Sequence, residues 1–414
     1  MNLTELKEKH AQYQASGLNL NIQRGQPSDE DFDLSLPLID ILKRDDYKTR
    51  SGIDVRNYPG GVRGIPEACE LFSELLGAEP GEMVVGNNSS LEMMTNVLQW
   101  ALIKGVKNSP QPWIRETPKM IVTVPGYDRH FSLLETLGFE MVPVEMTADG
   151  PDIEAVERLA KSDPQIKGIY FVPTYNNPTG DTISEDVAKR LVTLDAAAPD
   201  FTILADDAYS VHHLDDNPGE IPNLLQLAKS AGNPDRVILF GSTSKVTFSS
   251  GGIGLLAMSE SNLGYWLKLF SMQTIGPNKI EQWRHVRFLE QYPGGLKGLM
   301  RDHAAIIKPK FDATLRILNE EFAGTDLATW TEPRGGYFIS FNTARPVASR
   351  VVELAAEAGV SLTPAGATYP GGVDPENSNI RIAPTRPPLG EIEEAVRVMA
   401  NCVKLASAEY DEAN

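Results

Sequence analysis

Continuous runs of Val, Ile, Leu and Met, each closed by a polar cluster, recur through the first two thirds of the chain. The runs Met83–Val85, Met120–Val124, Phe139–Val144, Gly168–Val172, Thr202–Ala205, Arg236–Phe240 and Gly254–Met258 read as strands covered on both faces. Helical patterns lie between several of them, at Ser90–Ile103, Arg129–Leu137, Ile153–Ala160 and Ser184–Ala197. The intervals are roughly 20–35 residues, the length a strand–helix–strand crossover needs. This alternation predicts an α/β fold with a mostly parallel, seven-stranded sheet between helices. Ligands of such sheets bind beyond the carboxyl ends of the strands, where the polar clusters sit.

The flanks differ. Residues 1–16 read as a helix with charged faces, and Leu18–Ser35 as irregular with a turn at Arg24–Pro27. Gly60, Gly61 and Gly64 form a loop before a helix at Pro66–Leu76, and Pro66 suits its first turn. From Leu263 to Glu321 the pattern is helical. Then Thr329–Asn342 reads as strand, Val347–Ala358 as helix, Val360–Thr363 and Ile380–Ala383 as strands, and Leu389–Ala406 as a closing helix. The expected division is an N-terminal segment (1–45) packing with the small domain, a large ligand-binding domain (46–290) and a smaller α+β domain (291–414).

The 414 residues, 41% hydrophobic and 23% charged, suffice for a large core. A net charge of −18 argues against nucleic acid or an anionic membrane as partner, since both need concentrated Lys and Arg. Two cysteines, Cys69 and Cys402, make a disulfide framework or cysteine zinc site a poor expectation. The N-terminus lacks an apolar segment of the signal-peptide kind, and no run of about 18 apolar residues occurs. A cytoplasmic protein is expected.

Three strand ends carry chemistry. Lys245 follows Gly241-Ser242-Thr243-Ser244 at one of them. A lone lysine there is ordinarily a solvated surface group. Small hydroxyl neighbours, however, leave room for a ligand and offer phosphate donors. An amine partly desolvated among them becomes a nucleophile. Asp206 and Asp207 end a second run. A Mg²⁺ pair would call for a Walker A loop, which is absent. Strand alternation sends one carboxylate inward, here taken as Asp206, with Tyr209 three residues on. Asn176-Asn177-Pro178-Thr179-Gly180 follows the third run and alone would be only a turn. Gly86–Ser90 ends a strand and opens a helix, which makes either an anion site or an ordinary N-cap. His212-His213 reads as a surface pair, with no metal expected. Gly251-Gly252-Ile253-Gly254 lacks the spacing of a dinucleotide fingerprint. An amine, a carboxylate, a phenol and an amide on neighbouring strand ends suit an aldehyde cofactor held through a lysine.

The ordered set Asn-Asn-Pro-Thr-Gly, Asp-Asp-Ala-Tyr, Ser-x-Ser-Lys and a late Arg resembles the class I, fold-type I pyridoxal-5′-phosphate aminotransferases. Over nearly the full chain it is most similar to a divergent subgroup of bacterial aspartate aminotransferases. The resemblance implies the fold of that family and a homodimer with active sites at the interface. It also implies amino-acid and 2-oxo-acid substrates, with aspartate and 2-oxoglutarate preferred. Lys245 would bind the cofactor covalently and then carry the α-proton. Asp206 would pair with the ring nitrogen. Tyr209 and Asn177 would hold the ring oxygen, and Tyr127 would stack on the ring. Ser89, Ser90 and Ser242 would bind the phosphate, joined by Tyr58 from across the dimer. Arg381 would clamp the substrate carboxylate, which a forked guanidinium suits. Gly25 would lie over the substrate.

One departure stands out: the family's Arg-x-Gly after the lysine is Gly252-Ile253-Gly254 here. Either another cation replaces it, with Lys279 or a partner-subunit residue as candidates, or the N–H groups of the loop suffice. For a distal carboxylate the candidates are Arg24, Arg129, Lys279 and Arg284. Rival expectations are transamination of aromatic or branched-chain amino acids, a C–S lyase, and a non-catalytic regulator. The last would usually carry a DNA-binding domain, for which the acidic chain leaves little room.

Overall fold

A computed structural model describes residues 2–58 and 60–414; Met1, and Pro59 of the predicted glycine loop, lie outside the described residues. The central sheet runs in the order Met83–Val85, Gly254–Met258, Val237–Ser242, Thr202–Asp206, Ile166–Phe171, Lys119–Val124, Glu140–Thr147 and Gly150–Pro151. The strands from Val237–Ser242 to Glu140–Thr147 are mutually parallel, and Gly254–Met258 runs against its neighbours. The sheet has eight strands rather than the expected seven. The extra one is the two-residue Gly150–Pro151, which folds back on Met146 and Thr147. It has no apolar run, so the hydrophobic pattern held no trace of it.

Alternation along the strands divides the core. Ile203, Ala205 and Leu239 face one apolar cluster, with Phe72 and Leu75 of the Pro66–Leu76 helix. Leu204, Ile238, Phe240 and Tyr170 face the other, with Met94 and Trp266. Both faces are therefore dry, as continuous apolar strands require.

A third cluster gathers Leu6, Ile22, Phe311 and Val396. It joins the N-terminal helix Leu3–Ala15, the long helix Gly295–Phe322 and the closing helix Leu389–Ala413. Leu18–Ser35 is not irregular throughout. Leu20–Asn21 pairs with Val360–Ser361, and Asp29–Leu34 is a helix. That helix starts on a Ser28–Asp31 capping box, a signal of four positions that hydrophobic periodicity does not register. The expected strand Thr329–Asn342 is split into Ala328–Trp330 and Ile339–Thr343. Gly336, at φ +77°, bends the chain between them. With Asn379–Ile382 these strands make a three-stranded antiparallel sheet.

Candidate active site

The parallel strands deliver their polar ends to one place. Asp206 is the last residue of its strand and is buried. Its Oδ2 lies 2.9 Å from His130 Nε2, while Oδ1 is buried without a partner. His130 in turn stacks on Tyr170 at 3.7 Å between centroids. A buried carboxylate with one oxygen tied and the other free is poised to accept from a donor that the chain itself does not supply. Tyr127 sets its ring edge-on to His130 at 5.0 Å. Burial first, then the charge of Asp206, pushes its phenol up to about 12.

Lys245 follows the Val237–Ser242 strand by three residues. Its Nζ sits 5.1 Å from the Tyr209 ring centroid and 5.9 Å from that of Tyr337. Burial holds the amine below the ordinary lysine range; Asp206 opposes this and Arg381 adds to it. The Lys245 carbonyl faces His212 Nε2 and the Tyr337 hydroxyl, each at 3.4 Å. His212 is buried, so the expected surface pair is overturned. Its neighbour His213 is half-buried, with Nδ1 2.7 Å from the Tyr175 hydroxyl. The turn at Gly335-Gly336 crosses over this segment, and residues that distant in sequence gave no hint of that cover.

Arg381 lies on the Asn379–Ile382 strand and is buried. Its Nη1 donates to Asn177 Oδ1 and to Asp128 Oδ1, each at 3.1 Å. Its guanidinium lies 4.8 Å from the Phe338 ring centroid, and its Nε is buried without a partner. Gly25 abuts the same ring: a Cβ there would come within 2.4 Å of Phe338 Cζ, so any larger residue would have to displace the ring.

A hydroxyl cluster lies beside the lysine. Ser242 Oγ and Ser244 Oγ are 2.6 Å apart, and Ser244 N donates to Ser242 Oγ. Ser89 caps the helix Ser90–Lys104, accepting from Glu92 N at 3.3 Å. Ser90, its first residue, is half-buried. The Gly252–Gly254 loop packs against this helix start. Gly254 N donates to Asn87 O, and Asn88 Nδ2 to Ser250 O. A Cβ on Gly254 would meet Ser89 O at 2.4 Å. Where an Arg was expected, there is close backbone packing.

Lys245, Asp206, Tyr209, Tyr127, Asn177 and Arg381 thus share one buried site. The remaining candidates do not join it by a hydrogen bond or ion pair among the described residues. Tyr58 is 68% exposed. Lys279 is buried, and its Nζ donates to Tyr58 O at 3.1 Å. Burial lowers its pKa. Arg24 and Arg129 are exposed, and Arg284 pairs with Glu281 at 3.0 Å. Sequence reasoning missed His130, Asp128 and Phe338. His130 and Asp128 had one usable signal, their places one helical turn and one residue beyond Tyr127.

The fold and site define a fold-type I transferase built around a buried lysine. The aspartate amino-transferase family matches residues 2–414, and the chain belongs to that family. It is 44% identical to an aspartate aminotransferase of Corynebacterium glutamicum, over 98% of this chain and 94% of that one. A putative aminotransferase of Mycolicibacterium smegmatis is also 44% identical, covering 98% and 95%. A crystal structure of an aspartate transaminase from C. glutamicum superposes with a TM-score of 0.95, covering 99% of this chain and 96% of that one. The protein is an aminotransferase.

Proposed function

We propose that the protein transfers the amino group of L-aspartate to 2-oxoglutarate with pyridoxal 5′-phosphate, giving oxaloacetate and L-glutamate. The observation that carries this is the pairing of a buried amine, Lys245, with a buried carboxylate whose Oδ1 is free, Asp206. The 44% identity to the C. glutamicum aspartate aminotransferase supports the choice of substrate. When bound, pyridoxal phosphate supplies an aldehyde for amines and a ring that accepts electron density.

The chain's own residues do the rest. His130 fixes Asp206, whose free Oδ1 would accept from the cofactor's ring nitrogen. Tyr209 and Asn177 hold the ring oxygen, and Tyr127 covers one face. Ser242, Ser89 and Ser90, with Ser244, bind the phosphate at a helix N-terminus, where free N–H groups favour an anion. Arg381 binds the substrate α-carboxylate, which takes over the place of Asp128 beside the guanidinium. Gly25 leaves its backbone against the substrate. Lys245, whose pKa burial lowers, is the base that would remove the α-proton. Lys279 meets the distal carboxylate, and Tyr58 reaches the phosphate of a partner subunit in a homodimer. Cys69 and Cys402 are buried free thiols, consistent with the cytoplasm. Among the described residues, no helix is long and apolar enough to cross a membrane.

Initial rates with aspartate, phenylalanine and alanine, each with 2-oxoglutarate, test the substrate. Aspartate should be fastest, and its being slowest would defeat the choice. Lys245→Ala should lose the yellow cofactor absorbance and all turnover; retained turnover would reject the lysine's role. Release of ammonia and pyruvate without an oxo-acid acceptor would point to a lyase instead.

A further inference from the structure

A cavity of about 820 Å³ lies on the opposite side of the Thr202–Asp206 strand from the site described above. None of Lys245, Asp206, Tyr209, Tyr127 or Arg381 lines it. Its walls are mostly aliphatic, supplied by Leu75, Leu239, Leu296 and Met300. One face of the long helix Gly295–Phe322 closes it, with Ala304 and Ala305 at the contact. The small side chains of those alanines leave the space open.

Lys297, Arg301, Lys308 and several carboxylates also line the cavity, and two less exposed polar groups, Asp207 and His213, stand among the apolar side chains. Asp207 lines the cavity, and its Oδ1 is buried without a partner. His213 lines it too, with Nδ1 occupied by the Tyr175 hydroxyl at 2.7 Å, which leaves Nε2 for another molecule. A buried polar atom without a partner costs free energy in an empty cavity and is relieved by a ligand that supplies one. Burial pushes the Asp207 carboxyl up to about 7 and holds His213 below the ordinary histidine range.

Each polar group is also tied to the catalytic cluster. Asp207 is the chain neighbour of Asp206. His213 holds Tyr175, a residue with φ +49°, in the left-handed region that β-carbons disfavour. Tyr175 leads directly into Asn176 and Asn177, and Asn177 accepts from Arg381. A molecule against Asp207 and His213 therefore pushes on both ends of the site through single short linkages.

We propose that this cavity is a second small-molecule site, for a mostly apolar ligand with one hydrogen-bonding edge, whose occupancy alters substrate binding at Arg381. The binding half stands on the cavity alone; the coupling half rests on the function proposed above.

Indole, neutral and apolar with one N–H donor, is the probe. It is titrated into the holoenzyme with a saturating dicarboxylate (maleate) in the active site, followed by calorimetry and ligand-observed NMR. Expected is saturable binding at one indole per chain, retained in Lys245→Ala. Ala304→Trp fills the cavity and should weaken binding at least tenfold. Ala305→Phe serves the same purpose should the larger residue fail to fold. Indole should also shift the KM for the amino-acid substrate at least twofold in the wild type and leave it unmoved in the filled variants. Non-saturable binding, binding unaffected by both fillers, or displacement by maleate would overturn the site. Saturable binding with an unmoved KM would overturn the coupling alone. Since the calorimetric arm needs no turnover, a wrong substrate assignment cannot be mistaken for a missing site.

Discussion

Asp206 and Asp207 are chain neighbours with opposite surroundings. Strand alternation predicts that they point to opposite sides, and they do: Asp206 meets His130, Asp207 the cavity behind the sheet. What alternation cannot give is their charge, because desolvation depends on what the rest of the chain places around each group. Burial, reinforced by the nearby Asp206 and opposed by a hydrogen bond from Thr174, raises the Asp207 carboxyl from 3.8 to about 7. The sign of the resulting effect follows from proton counting. Between those two values the folded chain retains a proton that the unfolded chain has released. Stability therefore falls as pH rises across that window and stays lowered above it. Asp207→Asn cannot ionise, so it escapes this loss. Its stability relative to wild type should improve between pH 5 and pH 8, by about 2–3 kcal/mol. Urea denaturation at the two pH values measures the difference, and a gap that is unchanged or narrows would show Asp207 ionised throughout.

Loop and helix meet most tightly where Gly254 opens its strand against the N-terminus of Ser90–Lys104. Any side chain at Gly254 would drive a Cβ into the Ser89 carbonyl, which is backbone and cannot rotate away. Gly254→Ala should therefore shift the helix start and its free N–H groups. The expected result is cofactor affinity at least tenfold weaker by absorbance titration, with stability reduced by about 1–3 kcal/mol. Unchanged affinity would mean that the helix start does not hold the phosphate. This contact also shows what was legible beforehand. The strands Met83–Val85 and Gly254–Met258 and the helix Pro66–Leu76 could be read to the residue, because local apolar pattern and a proline or glycine boundary agree there. The Leu20–Asn21 pairing with Val360–Ser361 could not, since two residues carry no period and their partner lies at the other end of the chain. The site divides the same way. Lys245, Asp206 and Asn177 sit at strand ends and were visible as motifs. Phe338 matters only through partners distant in sequence, which no spacing reveals, and His130 showed only as a residue one helical turn beyond Tyr127.

At the scale of the whole molecule, the acidic chain bears an apolar patch with no internal partner. Tyr58 and Ile275 are 68% and 65% exposed, and Ile280 is 41% exposed. All three surround buried Lys279, which donates to the Tyr58 carbonyl. Leaving such side chains in water forgoes about 25 cal/mol per Å² of apolar surface, and the homodimer proposed above would cover them across a twofold axis. The same arrangement would carry the Tyr58 hydroxyl away from its own Lys245 and toward that of the partner subunit. Complementation separates this from a role within one chain. Lys245→Ala and Tyr58→Ala homodimers should each be nearly inactive. Mixed, unfolded and refolded together in equal amounts, they form heterodimers in which one site carries both substitutions and the other neither. Half of the dimers are then mixed and half of their sites intact, so activity should return to about one quarter of wild type. If Tyr58 served its own chain, every site in the mixture would carry one defect and no activity would return. A wild-type mass of 45.3 kDa by light scattering, that of a single chain, would remove the shared site altogether.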